Sequence, residues 1–195
     1  NGSIQLSLID EFADECFVPL TIAGGIKSLQ DIKELLKVGA DKVCINSHAI
    51  KNLNFIEQAV NKYGSQCIVI SIDYKINKNK EKEIYINSGT TPTGILLENF
   101  IEKINKIQPG EILITSIDHD GLMKGYDTNT IKKISNLCEI PIIASGGAGK
   151  LEDFYDLLRR TNIKALSAAS IFHFTEITPL DVKKYLHQLG IKVRL

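Results

Sequence analysis

Short apolar runs alternating with helix-period segments, an internal repeat, and glycine-rich endings on the runs predict an α/β protein, specifically a (β/α)8 barrel. The strand candidates are Val18–Ile22, Lys42–Asn46, Cys67–Asp73, Glu111–Ser116, Ile142–Ser145 and Lys164–Ala168. Each is rich in Ile, Val, Leu or Ala and is followed closely by Gly, Asn, Ser or Asp, as expected of parallel strands buried on both faces. Helical periodicity marks Leu29–Lys37, Leu53–Tyr63, Ile95–Ile107, Thr128–Leu137, Leu151–Arg160 and Leu180–Leu189, with one amphipathic helix, Ile4–Cys16, ahead of the first strand. Residues 74–87 (YKINKNKEKEIYIN) break the alternation. They are polar and lysine-rich, then alternate Ile-Tyr-Ile, and so read as a β-hairpin inserted into a single domain spanning 1–195.

The repeat sets the strand count. Pro19-Leu-Thr-Ile-Ala-Gly24-Gly25 matches Pro141-Ile-Ile-Ala-Ser-Gly146-Gly147 at an offset of 122 residues. At the same offset Leu29 meets Leu151, Asp31 meets Asp153, Leu35-Leu36 meet Leu157-Leu158 and Lys42 meets Lys164. Four βα units of about 30 residues fill that offset, and two such halves make eight units. On this count roughly 61 residues should precede Pro19, where 18 do. The expectation is therefore a barrel lacking its first strand, first helix and second strand, about 40 to 45 residues. An open six-strand remnant would carry two unpaired sheet edges. An open doubly wound domain is the competing architecture, and such halves rarely repeat this closely.

Of 195 residues, 44% are hydrophobic, and 23 basic residues balance 23 acidic ones. This balance argues against an electrostatic nucleic-acid binder or a membrane-surface protein. The longest apolar runs are strand-sized, so no membrane span is expected. No basic segment followed by an apolar stretch opens the chain, so no signal peptide is expected either, and the assignment is cytoplasmic. Cys16, Cys44, Cys67 and Cys138 lie far apart without a C-x-x-C pair, and read as reduced thiols in or beside apolar runs. His48, His119, His173 and His187 show no ligand spacing, so neither a metal nor an organic cofactor is expected. His173 reads as a core or cap residue.

In a barrel, ligands sit where strands end and loops begin. Gly24, Gly25, Asn46 and Ser47 end one pair of strands, and Gly146, Gly147, Ala169 and Ser170 end the pair half a barrel away. Glycine permits close backbone approach, and amides at helix starts bind anions. Two equivalent sites across one mouth point to a substrate with a phosphate at each end. Between them, Asp73 closes one strand and Asp120 with Gly121 follows another, and such carboxylates can serve as general acid or base. Thr115 and Ser116 can donate hydrogen bonds to substrate or satisfy the strand end. Asp118 sits deeper and reads as structural. Lys42 and Glu111 fall at strand starts, on the opposite face, as a structural ion pair or a polar gate to a channel.

As they stand, these residues resemble the cyclase subunit of imidazole glycerol phosphate synthase. The resemblance runs from about Phe17 to the C-terminal Val-Arg-Leu. It rests on Gly39-Ala-Asp-Lys-Val-Cys-Ile-Asn-Ser47, Gly64-Ser-Gln66, Gly110-Glu-Ile-Leu-Ile-Thr-Ser-Ile-Asp118, Asp120-Gly121 with Gly125-Tyr-Asp127, and Ala144-Ser-Gly-Gly-Ala-Gly149. It implies a barrel that partners a glutaminase subunit as a heterodimer. Ammonia from the glutaminase passes through the barrel and reacts with a doubly phosphorylated phosphoribulosyl-formimino aminoimidazole carboxamide ribotide. The products are imidazole glycerol phosphate and aminoimidazole carboxamide ribotide, a lyase reaction of histidine biosynthesis. The resemblance makes Asp73 one of two acid/base aspartates and Asp120 a substrate-holding group, with Gly25, Asn46, Gly147 and Ser170 near the phosphates. It makes Lys42 and Glu111 two of four gate residues, and puts Gln66 near the glutaminase docking face.

Two residues depart from the family pattern at the mouth. Ala23 stands where a third glycine is usual, and Leu122 where threonine usually follows Asp-Gly. The family's other acid/base aspartate and remaining gate residues lie on the first two strands. Two alternatives stay open on this basis. One is a paralogue supplying ammonia to an amidotransferase of surface-sugar biosynthesis, and the other is a non-catalytic barrel that activates glutaminase.

Overall fold

The computed structural model describes residues 5–195. Helix α1 (Leu6–Glu15) leads into β1 (Thr21–Ala23), α2 (Leu29–Lys37), β2 (Lys42–Ile45), the short α3 (Ser47–Lys51) and α4 (Leu53–Tyr63). Strands β3 (Ile68–Ile76), β4 (Lys82–Ile86) and β5 (Thr91–Leu96) follow, then α5 (Leu97–Ile104), β6 (Glu111–Ser116) and α6 (Thr128–Leu137). The chain continues through β7 (Ile142–Ser145), α7 (Leu151–Arg160), β8 (Ala165–Leu166), the short α8 (Ser170–Phe174) and α9 (Pro179–Gln188).

Six strands form a parallel sheet in the order β1-β2-β3-β6-β7-β8. Its period-2 alternation sorts residues between two faces. On β3, Ile68, Ile70, Ile72 and Tyr74 are buried against the helices, while Ser71 and Asp73 face the other way. On β6, Ile112, Ile114 and Ser116 are buried, and Glu111, Leu113 and Thr115 share the face of Asp73. Ala23 of β1 and Leu113 of β6 line one cavity although two strands separate them, so the sheet is curled. This is the curled parallel sheet with alternating helices of the (β/α)8-barrel architecture.

Helix packing explains the outer layer. Ile32 and Leu35 of α2, Phe55 and Ile56 of α4, Phe100, Ile101 and Ile104 of α5, and Phe154 and Leu157 of α7 recur at helical spacing and are all buried. Capping boxes at Ser28–Asp31 and Thr178–Asp181 start α2 and α9. Of the six helices predicted after the first strand, those at 29–37, 53–63, 128–137 and 151–160 have the expected bounds.

The insertion differs from the expected hairpin. Strand β3 does not stop at Asp73 but runs on to Ile76, pairs antiparallel with β4, and β4 pairs in turn with β5. The result is a three-stranded meander extending past residue 87. Ile95 and Leu96, expected in a helix, belong to β5: Gly94 (φ +72°) interrupts helical continuity before them, and Pro92 fits an edge strand. Helix α5 accordingly occupies only the middle of the expected 95–107 segment. The first strand is also shifted, to Thr21–Ala23, with Val18 exposed and the Leu20 N–H held by the Asp41 carboxylate at 2.7 Å. The expected start of the leading helix at Ile4 lies outside the described residues. His173, expected in the core or at a cap, is exposed on α8.

Candidate active site

The repeat read from sequence is repeated in geometry. Gly24 and Gly25 take φ of +105° and +70°, and Gly146 and Gly147 take +91° and +110°. After the first pair, the Lys27 and Ser28 N–H groups both donate to Asp31 Oδ2, each at 2.8 Å. After the second, Gly149 and Lys150 donate to Asp153 Oδ2 at 2.8 and 3.1 Å. The matched aspartates thus close the same turn twice. The residues after β2 and β8 also correspond, since each strand is followed within three residues by a five-residue helix, α3 or α8. These helices are too short to show periodicity in a sequence window, which is why sequence reading missed them.

Predicted mouth residues converge on two pockets. A cavity of about 440 Å³ is lined by Gly24, Gly25, Asn46, Ser47 and Asp73. A smaller one of about 40 Å³ is lined by Asp120, Gly146, Gly147, Ala169 and Ser170. Thr115 sits in register with Asp73 on one side and Ser145 on the other, on the same face. Ser116 instead turns away from the mouth, 3% exposed, and shares a 2.8 Å hydrogen bond with His119 Nδ1. Gly121 is exposed beside Asp120 and lines neither pocket.

Sequence reasoning missed Asn87 and Ser88, which line the larger cavity from the β4–β5 turn. The Asn87 N–H donates to Ser47 Oγ at 3.0 Å, and Asn87 and Ser88 both take a positive φ. The signal is present as Asn-Ser-Gly after a β-patterned run, but the following Thr91–Leu96 shows no clean alternation and its last two residues fall in the expected helix 95–107.

Asp73 is half-buried. Burial pushes its carboxyl above the ordinary carboxylate range, the Asn46 side chain opposes this by donating to Oδ2 at 3.1 Å, and the Asp120 charge pushes it up again. A proton held more tightly than usual, in a cavity, is the arrangement a general acid or base needs. Asp118 anchors structure, accepting the Ile76 N–H at 2.9 Å. Asp127 caps α6 and accepts from the Thr130 N–H, Thr130 Oγ1 and Tyr74 OH. Burial raises its proton affinity, but these bonds and Lys82 outweigh that and leave it below the usual range.

At the other end of the same face, Lys42 Nζ meets Glu111 Oε1 at 2.6 Å, spanning β3 between their strands. Both side chains are about a quarter exposed (26% and 27%), so the pair is shielded but reached by water. Between this pair and the mouth lies Cys44, whose thiol is pushed up to about 11 by burial and by the charges of Asp73 and Glu111. Gln66 is exposed in a short 3-10 turn, Ser65–Cys67, at the foot of β3. Gly110 packs there so tightly that a Cβ would lie 2.4 Å from the Ser65 carbonyl oxygen. Among the described residues no group of three His, Cys, Asp or Glu could hold a metal ion, and no helix is long and apolar enough to cross a membrane. All four cysteines are free, Cys44 alone being buried.

Curled parallel sheet, doubled glycine turns and a carboxylate-bearing mouth define the class: a two-fold repeated β/α barrel with its glycine turns and carboxylates gathered at the strand C-termini. Comparison with known proteins narrows it. A family described as "Histidine biosynthesis protein" matches residues 1–178. The imidazole glycerol phosphate synthase subunit HisF of Dictyoglomus thermophilum is 48% identical over 190 residues, 97% of this chain and 75% of that protein. The HisF subunit of Natranaerobius thermophilus is 46% identical over 98% of this chain and 76% of its own length, and one from Clostridium botulinum (strain Alaska E43 / Type E3) is 45% identical with the same coverage. The chain belongs to this histidine biosynthesis family, as a HisF-type cyclase subunit of imidazole glycerol phosphate synthase.

Proposed function

We propose that this chain is the lyase subunit that uses ammonia to convert phosphoribulosyl-formimino aminoimidazole carboxamide ribotide into imidazole glycerol phosphate and aminoimidazole carboxamide ribotide. The observation that carries this reading is Asp73, raised in proton affinity and hydrogen-bonded to Asn46, in the larger of two glycine-lined pockets whose glycine turns share one backbone geometry. Asp73 moves protons during ring closure. Asp120 and Thr115 hold the substrate between its ends, with Gly121 supplying the turn behind Asp120. One phosphate sits against Gly24, Gly25, Asn46 and Ser47, with Asn87 and Ser88 closing over it. The other sits against Gly146, Gly147, Ala169 and Ser170. Residues 5–195 act as one domain in this reading, and the reaction proceeds on aspartates and ammonia without a metal or organic cofactor.

The partner is a glutaminase subunit docked at the foot of the barrel near Gln66. Ammonia enters past Lys42 and Glu111 and travels along the face that carries Cys44 and Ser71 to Asp73. Cys44 stays a neutral thiol below about pH 11, so it adds no charge to that path. Lys42→Ala is expected to cut glutamine-driven turnover about tenfold, equivalent to about 1.4 kcal/mol of barrier, while ammonium-driven turnover stays near wild type. Equal losses under both nitrogen sources would reduce the pair to a structural ion pair.

The direct test supplies the ribotide and excess ammonium salt without any glutaminase, and follows imidazole glycerol phosphate. Turnover is the expected result. Its absence would transfer the chain to ammonia delivery for a surface-sugar amidotransferase, or to a glutaminase-activating role. The changes at Ala23 and Leu122, both at the mouth, are the observation that keeps that second reading in view.

A further inference from the structure

We propose that Tyr74 is a positioning residue: its buried side chain and backbone clamp both ends of the loop carrying Asp120, and so set the separation between Asp120 and Asp73. This rests on the assignment of Asp73 and Asp120 to the ring-closing site.

Tyr74 follows Asp73 directly, but points to the opposite face and is 1% exposed. It pairs in register with Ser116, the last residue of β6, and its carbonyl accepts the N–H of Ile117, the first loop residue, at 2.9 Å. Its hydroxyl donates to Asp127 Oδ2 at 3.0 Å, at the far end of the same loop. Two more bonds brace this arrangement: Asp118 accepts the Ile76 N–H, and the Asp120 N–H donates to the Ser116 carbonyl at 2.9 Å. Residues 117–127 form a long loop, of a kind that is mobile unless tied down. Its far half is also tied by the Gly125 N–H on the Gly147 carbonyl at 2.8 Å and the Tyr126 hydroxyl on the Ser167 carbonyl at 3.0 Å. Here one residue, next to Asp73 on the same strand, holds the start through its carbonyl and the finish through its hydroxyl.

The energetics favour a clamp over a passive core residue. A neutral hydroxyl donating to a half-buried carboxylate makes a charge-assisted bond, stronger than a neutral one. Asp127 does not depend on it for its cap, since Thr130 donates from both backbone and side chain, and Lys82 Nζ stands 3.4 Å away. Removing only the hydroxyl therefore frees the far end of the loop from Tyr74, while the Ile117 and Asp118 bonds keep its start on β3 and α6 stays seated.

The test uses Tyr74→Phe in the full chain. Under excess ammonium, kcat is expected to fall about ten- to a hundredfold through loss of positioning. In parallel, carbon-13 NMR titration of the Asp73 carboxyl should show its proton affinity shifting down, because the like charge of Asp120 is no longer held close. The groups facing Asp73 are Asn46, Asp120 and the Cys44 thiol, with Lys27 and His48 lining the same cavity, and of these only Asp120 sits on the loop that Tyr74 holds. Asp127→Asn is the second variant, expected to shift the titration in the same direction, and combining the two should cost no more than the worse single change. A wild-type titration in both variants overturns the clamp, even if melting temperature falls, and so does wild-type kcat in Tyr74→Phe. Should the unmodified chain not turn over the ribotide, the proposed function fails and the titration alone decides the clamp.

Discussion

Asp73→Asn is expected to lower ammonium-driven ring closure about 10²- to 10⁴-fold while leaving glutaminase binding intact and the fold no less stable. Asparagine has the volume of aspartate, and its carbonyl can still accept from Asn46 Nδ2, so the pocket keeps its shape. What disappears is the proton carrier. The pH dependence of stability supplies an independent check. The native carboxyl of Asp73 lies above its ordinary value, chiefly through burial, so the folded state binds this proton more tightly than the unfolded state. Stability from this group is therefore present at low pH and is lost as pH rises from the ordinary value through the raised native one. Asparagine escapes that loss. Its melting temperature should equal or exceed wild type at pH 7, with the difference vanishing as pH falls below about 4. Turnover within a fewfold of wild type would remove Asp73 from the chemistry.

Gly147→Ala is expected to be the most damaging single-methyl change at the mouth. At φ +110° an L side chain is strained whatever the space around it, and there is none: a Cβ would lie 2.2 Å from the Gly125 carbonyl oxygen and 3.1 Å from His119 Cβ. The Gly125 segment is also held in place against Gly147, because its N–H donates to the Gly147 carbonyl at 2.8 Å. Strain and overpacking together are expected to cost about 2–4 kcal/mol, read as a lower denaturation midpoint. The displacement would reach the Asp120 loop through Gly125, so substrate KM should rise as well. Gly24→Ala is the internal comparison. It stands at the repeat-equivalent turn of Gly146, has φ +105°, and meets nothing within 4 Å, so it pays only the backbone strain. Equal destabilisation by the two changes would show that crowding at Gly125 contributes nothing.

The parts of this fold legible in the sequence were those with a period or a repeat. The helices at 29–37, 53–63, 128–137 and 151–160 each place apolar residues on one stripe, and their ends carry caps or glycine, so their bounds were readable. Duplicate Gly-Gly turns and matched Asp31 and Asp153 exposed the half-barrel repeat before any geometry was known, and the paired N–H bonds to those aspartates explain why both halves kept them. The meander was harder. Ile95 and Leu96 suit a helix or a strand equally, and only pairing of Thr91–Leu96 with β4 chose the strand. Helices α3 and α8, five residues each, carry no period at all.

By itself the sequence determined the alternating architecture, the doubled turns and the residue types at the mouth, because these follow from local spacing and from backbone conformations that glycine alone adopts easily. Only the tertiary structure decided which polar groups act together. Asp73 and Asn46 lie 27 residues apart, Lys42 and Glu111 lie 69 apart, and Tyr74 and Asp127 lie 53 apart. None of these pairs leaves a mark on local pattern. They arise because a parallel sheet sets distant strand ends side by side, and curling turns one row of its side chains inward onto a shared cavity.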